Sequence, residues 1–563
     1  MGRPATLDAV GAVDVGRRVL GLVTPAPERT VAALHGTEAP APGLNPRELI
    51  FLQHIRWFGT TGSLLMAFGA LGVGAQPVRQ NPTFGIPVLS LPARMQTSAI
   101  AVTMIGTVIV VLAWLLLGRY AVGRFADGTP PRRLSRGQLD RTLLLWIIPL
   151  AVAPPMFSQD IYSYLAQGEI AHRGLDPYAL GPEPALGRDH VLTNSVPNIW
   201  KSTPAPYGPL FVWCSRGIAA VAGDNIVAGI WLHRALALGG VALIVWALPR
   251  LARRCGVAAV SALWLGAANP LLLFHLVAGV HNEALMLGLM LAGMELALHA
   301  IESAAPIRGT NLTLLIGGCA IIALSSTIKI PSLVALGFVG MALARRWGHG
   351  WRGVLAAAAA TGGIALTTTL LITTASGLGF GWVHTLGAAN AVRSWMSLPT
   401  LIGILTGFGG VVLGLGDHTT AVLNITRPIA AILAMFVTLR MLLAVYTGRL
   451  HPVGAFGVAM GSVILLFPVV QPWYLLWAVT PLAAWATLPA FRIPTIALSA
   501  LVSVILMPRG AEFTVFQIVA AAAATVVVVA GMIIATRTVL PWRVDDAGAP
   551  KPFPHRTPYA ERP

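Results

Sequence analysis

Charge is scarce in this sequence. Of its 563 residues only 10% are Asp, Glu, Lys or Arg, whereas 56% are hydrophobic. So few charges cannot cover the surface of a soluble protein of this size. Nucleotide-handling signatures are missing too. There is no P-loop, no GxGxxG following a strand and no HExxH, and no polar stretch is long enough to form a nucleotide-binding domain. Cysteine is nearly absent. Cys214, Cys255 and Cys319 lie far apart, without metal-ligand spacing and without a disulfide framework. Lysine occurs only at Lys201, Lys329 and Lys551.

Long apolar runs are what the sequence has instead. Many approach or exceed the ~18 residues that read as a transmembrane helix, and about fourteen such segments can be laid out. Helices are the expected form, because each satisfies its own backbone hydrogen bonds in lipid. The fold class is therefore an all-α polytopic membrane protein. Residues 1–50 are rich in Ala, Pro and Gly and read as a disordered cytoplasmic arm, 51–540 as the transmembrane domain, and 541–563 as a cytoplasmic tail. No cleavable signal peptide is evident.

The net charge of +17 does not call for a nucleic acid. Basic residues gather in short clusters, "RYAVGRFADGTPPRRLSRGQLDR" (119–141), "PRLARR" (249–254) and "RRWGHGWR" (345–352), as the positive-inside rule places them in cytoplasmic loops. The same clusters suit anionic lipid head groups. With 119–141 inside, the chain exits outward at Ser158. The arginines of 249–254 and 440–449 then fall inside only if the apolar stretches 209–223 and 398–416 lie in the outer interface rather than span. The map predicts two large outer loops, 158–225 and 374–423, and cytoplasmic termini in the plasma membrane.

Polar and aromatic residues concentrate at that outer face. Asp160, in "FSQDIYSY", either caps a helix or serves as general base for a hydroxyl, with Tyr162 offering a polar atom nearby. Asp176 before Pro177 reads as a turn residue and, less directly, as a sugar ligand. His281, Asn282 and Glu283 join two apolar runs through a very short turn. An ionisable group at such depth is a functional candidate, although Glu283 at a helix start also serves as a cap. Lys329, between two apolar runs, could hold a lipid phosphate or simply snorkel. His384, Arg393 and Trp395 are similar candidates on the second loop. Trp473 and Tyr474 suit sugar stacking and an aromatic belt equally well.

These residues resemble a known family. An acidic residue opening the first outer loop, "YGPL" before an interfacial helix, a span ending in "LARR", a second outer acidic site and a late "PWY" are similar to the GT-C glycosyltransferases. "SQDIYSYLAQGEIAHRGLDPY" and "GVHNEALMLGLMLAG" (279–293) look most like the actinobacterial polyprenol-phosphomannose-dependent α-(1→6)-mannosyltransferases of lipomannan synthesis, particularly the B type. The similarity covers nearly all of 50–540. It implies an outer-leaflet donor, β-linked decaprenyl phosphate mannose, and a lipid-anchored mannan acceptor. It also implies an α-linked product made with inversion, with Asp160 as base, Tyr207 of "YGPL" near the substrate, and Lys329 or Arg393 on the leaving phosphate. The family's turn is more typically HND, so Glu283 is a longer carboxylate than the pattern. No cofactor is implied, and a divalent metal is left open. A lipid-linked sugar transporter is the alternative from another class. It usually carries internal repeats, which this sequence does not display.

Overall fold

The computed structural model describes residues 37–75, 81–122, 132–387, 393–508 and 513–542. The parts of the expected arm and tail at 1–36 and 543–563 lie outside them, as do 123–131 of the first basic cluster and 388–392 of the second outer loop. Among the described residues every regular element is helical. Leaving aside the shortest helices, the order is α1 (Pro46–Val73), α2 (Gln96–Ala121), α3 (Arg136–Val152), α4 (Asp160–His172), α5 (Pro209–Ala222), α6 (Ile226–Arg254), α7 (Ala259–Gly266), α8 (Glu283–Glu302), α9 (Thr310–Ser326), α10 (Val334–Trp347), α11 (Gly350–Ser376), α12 (Leu398–Val412), α13 (Thr419–Tyr446), α14 (Pro452–Leu466), α15 (Leu476–Trp485), α16 (Pro489–Ile505) and α17 (Val515–Ala535).

The chain begins to pack before residue 50. The Glu38 amide donates to the Gly256 carbonyl at 2.9 Å, and the Glu38 carboxylate accepts from the Ala258 amide at 2.8 Å and from Arg492 at 2.5 Å. Asn45 then caps α1 in a reciprocal capping box with Glu48. The Glu38 carboxylate thus ties the end of the expected arm to the helical body.

Among the described residues six helices, α2, α6, α8, α11, α13 and α17, are long and apolar enough to cross a membrane. The expected fourteen or so segments included runs that the chain breaks. The run 258–278 divides into α7 and a π-helical turn, Leu272–Ala278, after Pro270. Runs near 330 and 473 each open on a 3-10 turn carrying a proline, Ile330–Leu333 and Pro472–Leu475. Proline lacks the amide that would continue a helix. Backbone groups freed at membrane depth must be satisfied by protein. Asn269 does this beside Pro270, accepting from the Leu271 amide and donating to the Leu265 carbonyl, both at 2.9 Å. The two stretches placed in the interface, 209–223 and 398–416, form helices of 14 and 15 residues. At about 1.5 Å per residue both fall short of the ~30 Å hydrocarbon core.

The three breaks position the functional face. The π turn delivers His281, one 3-10 turn follows Lys329 and the other holds Trp473 and Tyr474. Beneath them α6 crosses α8 in close contact. A Cβ on Gly240 would collide with the Ala284 carbonyl, and a Cβ on Gly288 with the Gly240 carbonyl. Glycine at both crossings lets the backbones approach as membrane helices with small interface residues do, and fixes the start of α8 against α6.

Candidate active site

Asp160 is the first residue of α4, and its amide donates to Ser158 Oγ at 3.1 Å. The segment before it is tied to the turn before α8. The Met156 amide donates to the Ala278 carbonyl at 3.2 Å. Arg234, buried within α6, reaches both: Nη1 donates to the Ala151 carbonyl at 3.0 Å and Nη2 to the Ala278 carbonyl at 3.4 Å. Its charge thus sits against the carbonyl ends of α3 and the π turn, where a cation is favoured. Phe157 and Val280, two of the four non-glycine residues with positive φ among those described, lie within three residues of Asp160 and Glu283. Such strained backbone persists where surrounding contacts over-determine it.

The turn residues are almost wholly enclosed. His281 and Glu283 are 0% exposed, and Asn282 only 4%. The His281 ring stacks on Trp473, centroids 3.6 Å apart. Its Nδ1 lies 3.7 Å from Asp160 Oδ2, 3.9 Å from Glu283 Oε2 and 3.5 Å from the Tyr164 hydroxyl. It therefore stands between the two carboxylates. Lys329 Nζ donates to Glu283 Oε1 in a direct ion pair. The same ammonium lies over the rings of Tyr474, Trp477 and Tyr207, at 4.5, 5.7 and 5.9 Å from their centroids. Aromatic faces attract a cation through their quadrupole. Tyr207 is placed by the "YGPL" backbone, whose Gly208 and Leu210 amides donate to the Ile328 and Thr327 carbonyls, each at 3.1 Å. A Cβ on Gly208 would strike the Thr327 carbonyl, so only glycine permits this seam beside Lys329.

Several polar atoms here are buried without a protein partner: both side-chain ends of Asn282, Nε2 of His281, Oε2 of Glu283 and both ring nitrogens of His275. Buried polar atoms in native proteins are nearly always paired, and unpaired clusters mark places where a ligand or water supplies the bonds. Among the described residues no group of three or more His, Cys, Asp or Glu side chains is arranged to hold a metal ion.

The cluster thus contains Asp160, His281, Asn282, Glu283, Lys329, Tyr207 and Tyr474 of the candidates read from sequence. Other candidates sit elsewhere. Tyr162 is buried with its hydroxyl donating to the Ala75 carbonyl at 2.6 Å, so it fastens α4 to the end of α1. Asp176 accepts from the Tyr178 amide at 2.8 Å and shapes its own turn. His384 and Trp395 are exposed, and Arg393 reaches Thr420 at 3.4 Å. Sequence reading missed Tyr164, His275, Trp477 and Arg234 and left Trp473 as one of a pair. A polar residue inside an apolar span was the available signal for Arg234, in "WLHRALAL", and for His275, in "LLFHLVAG".

Arg234 yields a test of the scaffold. Arg234→Met removes the shared donor behind Asp160 and the turn, and is expected to lower kcat about tenfold, or about 1.4 kcal/mol, just under the ~1.5–3 kcal/mol of a hydrogen bond to a charged group. KM should change little, and Arg234→Lys should recover part of the loss, as read from initial rates against acceptor concentration.

Comparison with known proteins agrees with this architecture. The N-terminal domain model of the α-(1→6)-mannopyranosyltransferases matches residues 56–345, and the MptB C-terminal domain model matches 399–534. A Mycolicibacterium smegmatis protein named "Probable alpha-(1->6)-mannopyranosyltransferase" is 54% identical over 95% of this chain and 96% of its own. An alpha-(1->6)-mannopyranosyltransferase of Mycobacterium tuberculosis is 51% identical over 91% of this chain and 93% of its own. Alpha-(1->6)-mannopyranosyltransferase B of Corynebacterium glutamicum is 40% identical over 86% and 82%. No solved structure matches the chain. By sequence coverage and identity, the chain belongs to the α-(1→6)-mannopyranosyltransferase family.

Proposed function

We propose that this protein transfers mannose from a polyprenyl-phosphate mannose donor to the 6-hydroxyl of a mannan acceptor in lipomannan synthesis, on the extracytoplasmic face of the plasma membrane, in the manner of a GT-C glycosyltransferase. The observation that carries the reading is the enclosed set of unpaired polar atoms on His281, Asn282 and Glu283, flanked by Asp160 on one side and Lys329 on the other. A sugar phosphate has hydroxyls for the first group and a charge for the last.

The chemistry follows from the roles these groups can fill. The acceptor 6-oxygen attacks the anomeric carbon as the bond from that carbon to the phosphate oxygen breaks. Asp160 takes the hydroxyl proton, and polyprenyl phosphate leaves with the bonding electrons. Lys329 meets the charge that grows on the phosphate, where a fixed cation in a water-poor site acts most strongly. Glu283 keeps that lysine charged and aimed before the donor arrives. His281, held by Trp473, sets the spacing of the two carboxylates. One displacement inverts a β-linked donor to an α-linked product and needs one base rather than the carboxylate pair of a retaining hydrolase. No energy source is required beyond the donor's own phosphate ester.

The test is transfer by the purified protein in detergent, supplied with polyprenyl phosphate mannose or with GDP-mannose, to a short α-(1→6) mannoside. Product from the lipid donor alone is expected. A transporter would give product from neither, and product from GDP-mannose would overturn the donor assignment.

A further inference from the structure

A cavity of about 450 Å³ opens among the ends of α8, α10 and α13 and the start of α14. α8 runs 20 residues from Glu283 to Glu302, or about 30 Å. The cavity is thus roughly one hydrocarbon thickness away from Asp160 and Lys329. Its walls are apolar, including Ile301, Ala342 and Val445, and its rim is charged.

The rim charges differ in how far they are engaged. Glu302 accepts from Arg254 Nη1 and from His451 Nε2, both at 2.9 Å. Arg346 donates to the carbonyls of Ile301, Ser303 and Ala305 at 2.7–2.8 Å, closing the end of α8. The His451 imidazole is pushed up to about 10: burial opposes its charge, and Cys255 and Glu302 outweigh that opposition. Its Nδ1 nevertheless accepts from the Val453 amide at 3.3 Å, so both ring nitrogens are engaged. Arg345 is exposed and lies against Gly448, where a Cβ would collide with its guanidinium carbon. No described residue accepts its N–H groups. Arg254 is shared between Glu302 and Glu295, and of the two arginines lining the cavity Arg346 is spent on carbonyls, which leaves the planar fork of Arg345 unused.

We propose that this cavity binds the phosphodiester head group of an anionic membrane lipid, with Arg345 as the principal ligand. Arginine matches phosphate because its fork donates two parallel hydrogen bonds. A lipid is favoured over a free anion because the cavity walls are apolar and it lies about one hydrocarbon thickness from the outer-face cluster, at the depth of the opposite head groups.

Native mass spectrometry of the full-length protein tests this, after release from phosphatidylcholine nanodiscs containing phosphatidylglycerol. The wild type is expected to retain phosphatidylglycerol over phosphatidylcholine. Arg345→Gln should weaken that preference about fivefold, the effect of one surface arginine on an anionic lipid, and Arg345→Lys should weaken it less. Arg253→Gln removes an exposed charge from the last turn of α6, outside the cavity, and should change nothing. An equal loss from Arg253→Gln, or no loss from Arg345→Gln, overturns the site. If inorganic phosphate displaces phosphatidylglycerol at equal affinity, the cavity reads a free anion and the lipid assignment is wrong.

Discussion

Asp160→Asn is expected to lower mannose transfer by about two to four orders of magnitude, the usual contribution of a positioned general base. The substitution keeps the shape of the side chain and its capacity to accept hydrogen bonds, but an amide takes no proton from the attacking hydroxyl. The fold should survive. Asp160 is 24% exposed at its side chain, its amide still meets Ser158, and α4 is otherwise held by packing and by the bond from Tyr162 to the Ala75 carbonyl. Thermal unfolding in detergent should therefore give a midpoint within a few degrees of wild type, so that lost activity reports on chemistry. Donor binding should also remain, because Lys329 and the turn are untouched. Wild-type rates from the variant would remove Asp160 from the reaction.

The second large effect is expected at the Lys329–Glu283 pair, and the two partners should not behave alike. Breaking a buried ion pair from one side costs about 3–5 kcal/mol, because the other charge is left without compensation. Lys329→Met strands Glu283, whose side chain is 0% exposed and whose second oxygen already lacks a hydrogen bond. Glu283→Gln strands Lys329, whose side chain is 18% exposed and faces three aromatic rings. Those rings and the partial exposure compensate the ammonium more than the start of α8 and His281 Nδ1, 3.9 Å away, compensate the wholly buried carboxylate. Lys329→Met should thus lower the unfolding midpoint more than Glu283→Gln. The double variant should be more stable than Lys329→Met, since no isolated charge remains, and couplings of this kind appear as non-additive changes. Activity should not follow stability. All three proteins should be poor catalysts, because none retains both a charged lysine and the carboxylate that aims it. Additive midpoints would show that the pair is not coupled.

How much of this was legible in the sequence depends on the kind of contact. Asp160, the His281–Glu283 turn and Lys329 each stood out locally, as ionisable groups beside apolar runs. Their convergence did not. Lys329 reaches Glu283 across 46 positions, and the contact exists only because the chain breaks into a π turn before one residue and a 3-10 turn after the other. The prolines that cause those breaks were visible, but run length alone counted the same stretches as continuous spans. Trp473 and Tyr474 were read as a pair of equal standing, yet one stacks on His281 and the other faces Lys329. Tyr162 and Asp176 show that a polar side chain near a candidate site can be engaged by its own fold, and sequence does not say which way it turns. Arg234 was passed over because it lies mid-span in an apolar run, although that placement is itself the clearest sign of a constrained role.

The most direct test of the account is the linkage made by wild-type protein in detergent from β-linked polyprenyl phosphate mannose and a short α-(1→6) mannoside. A single displacement at Asp160 predicts one added mannose in α-(1→6) linkage, with one polyprenyl phosphate released per linkage formed. A β-linked product, or phosphate release without a new linkage, would contradict it.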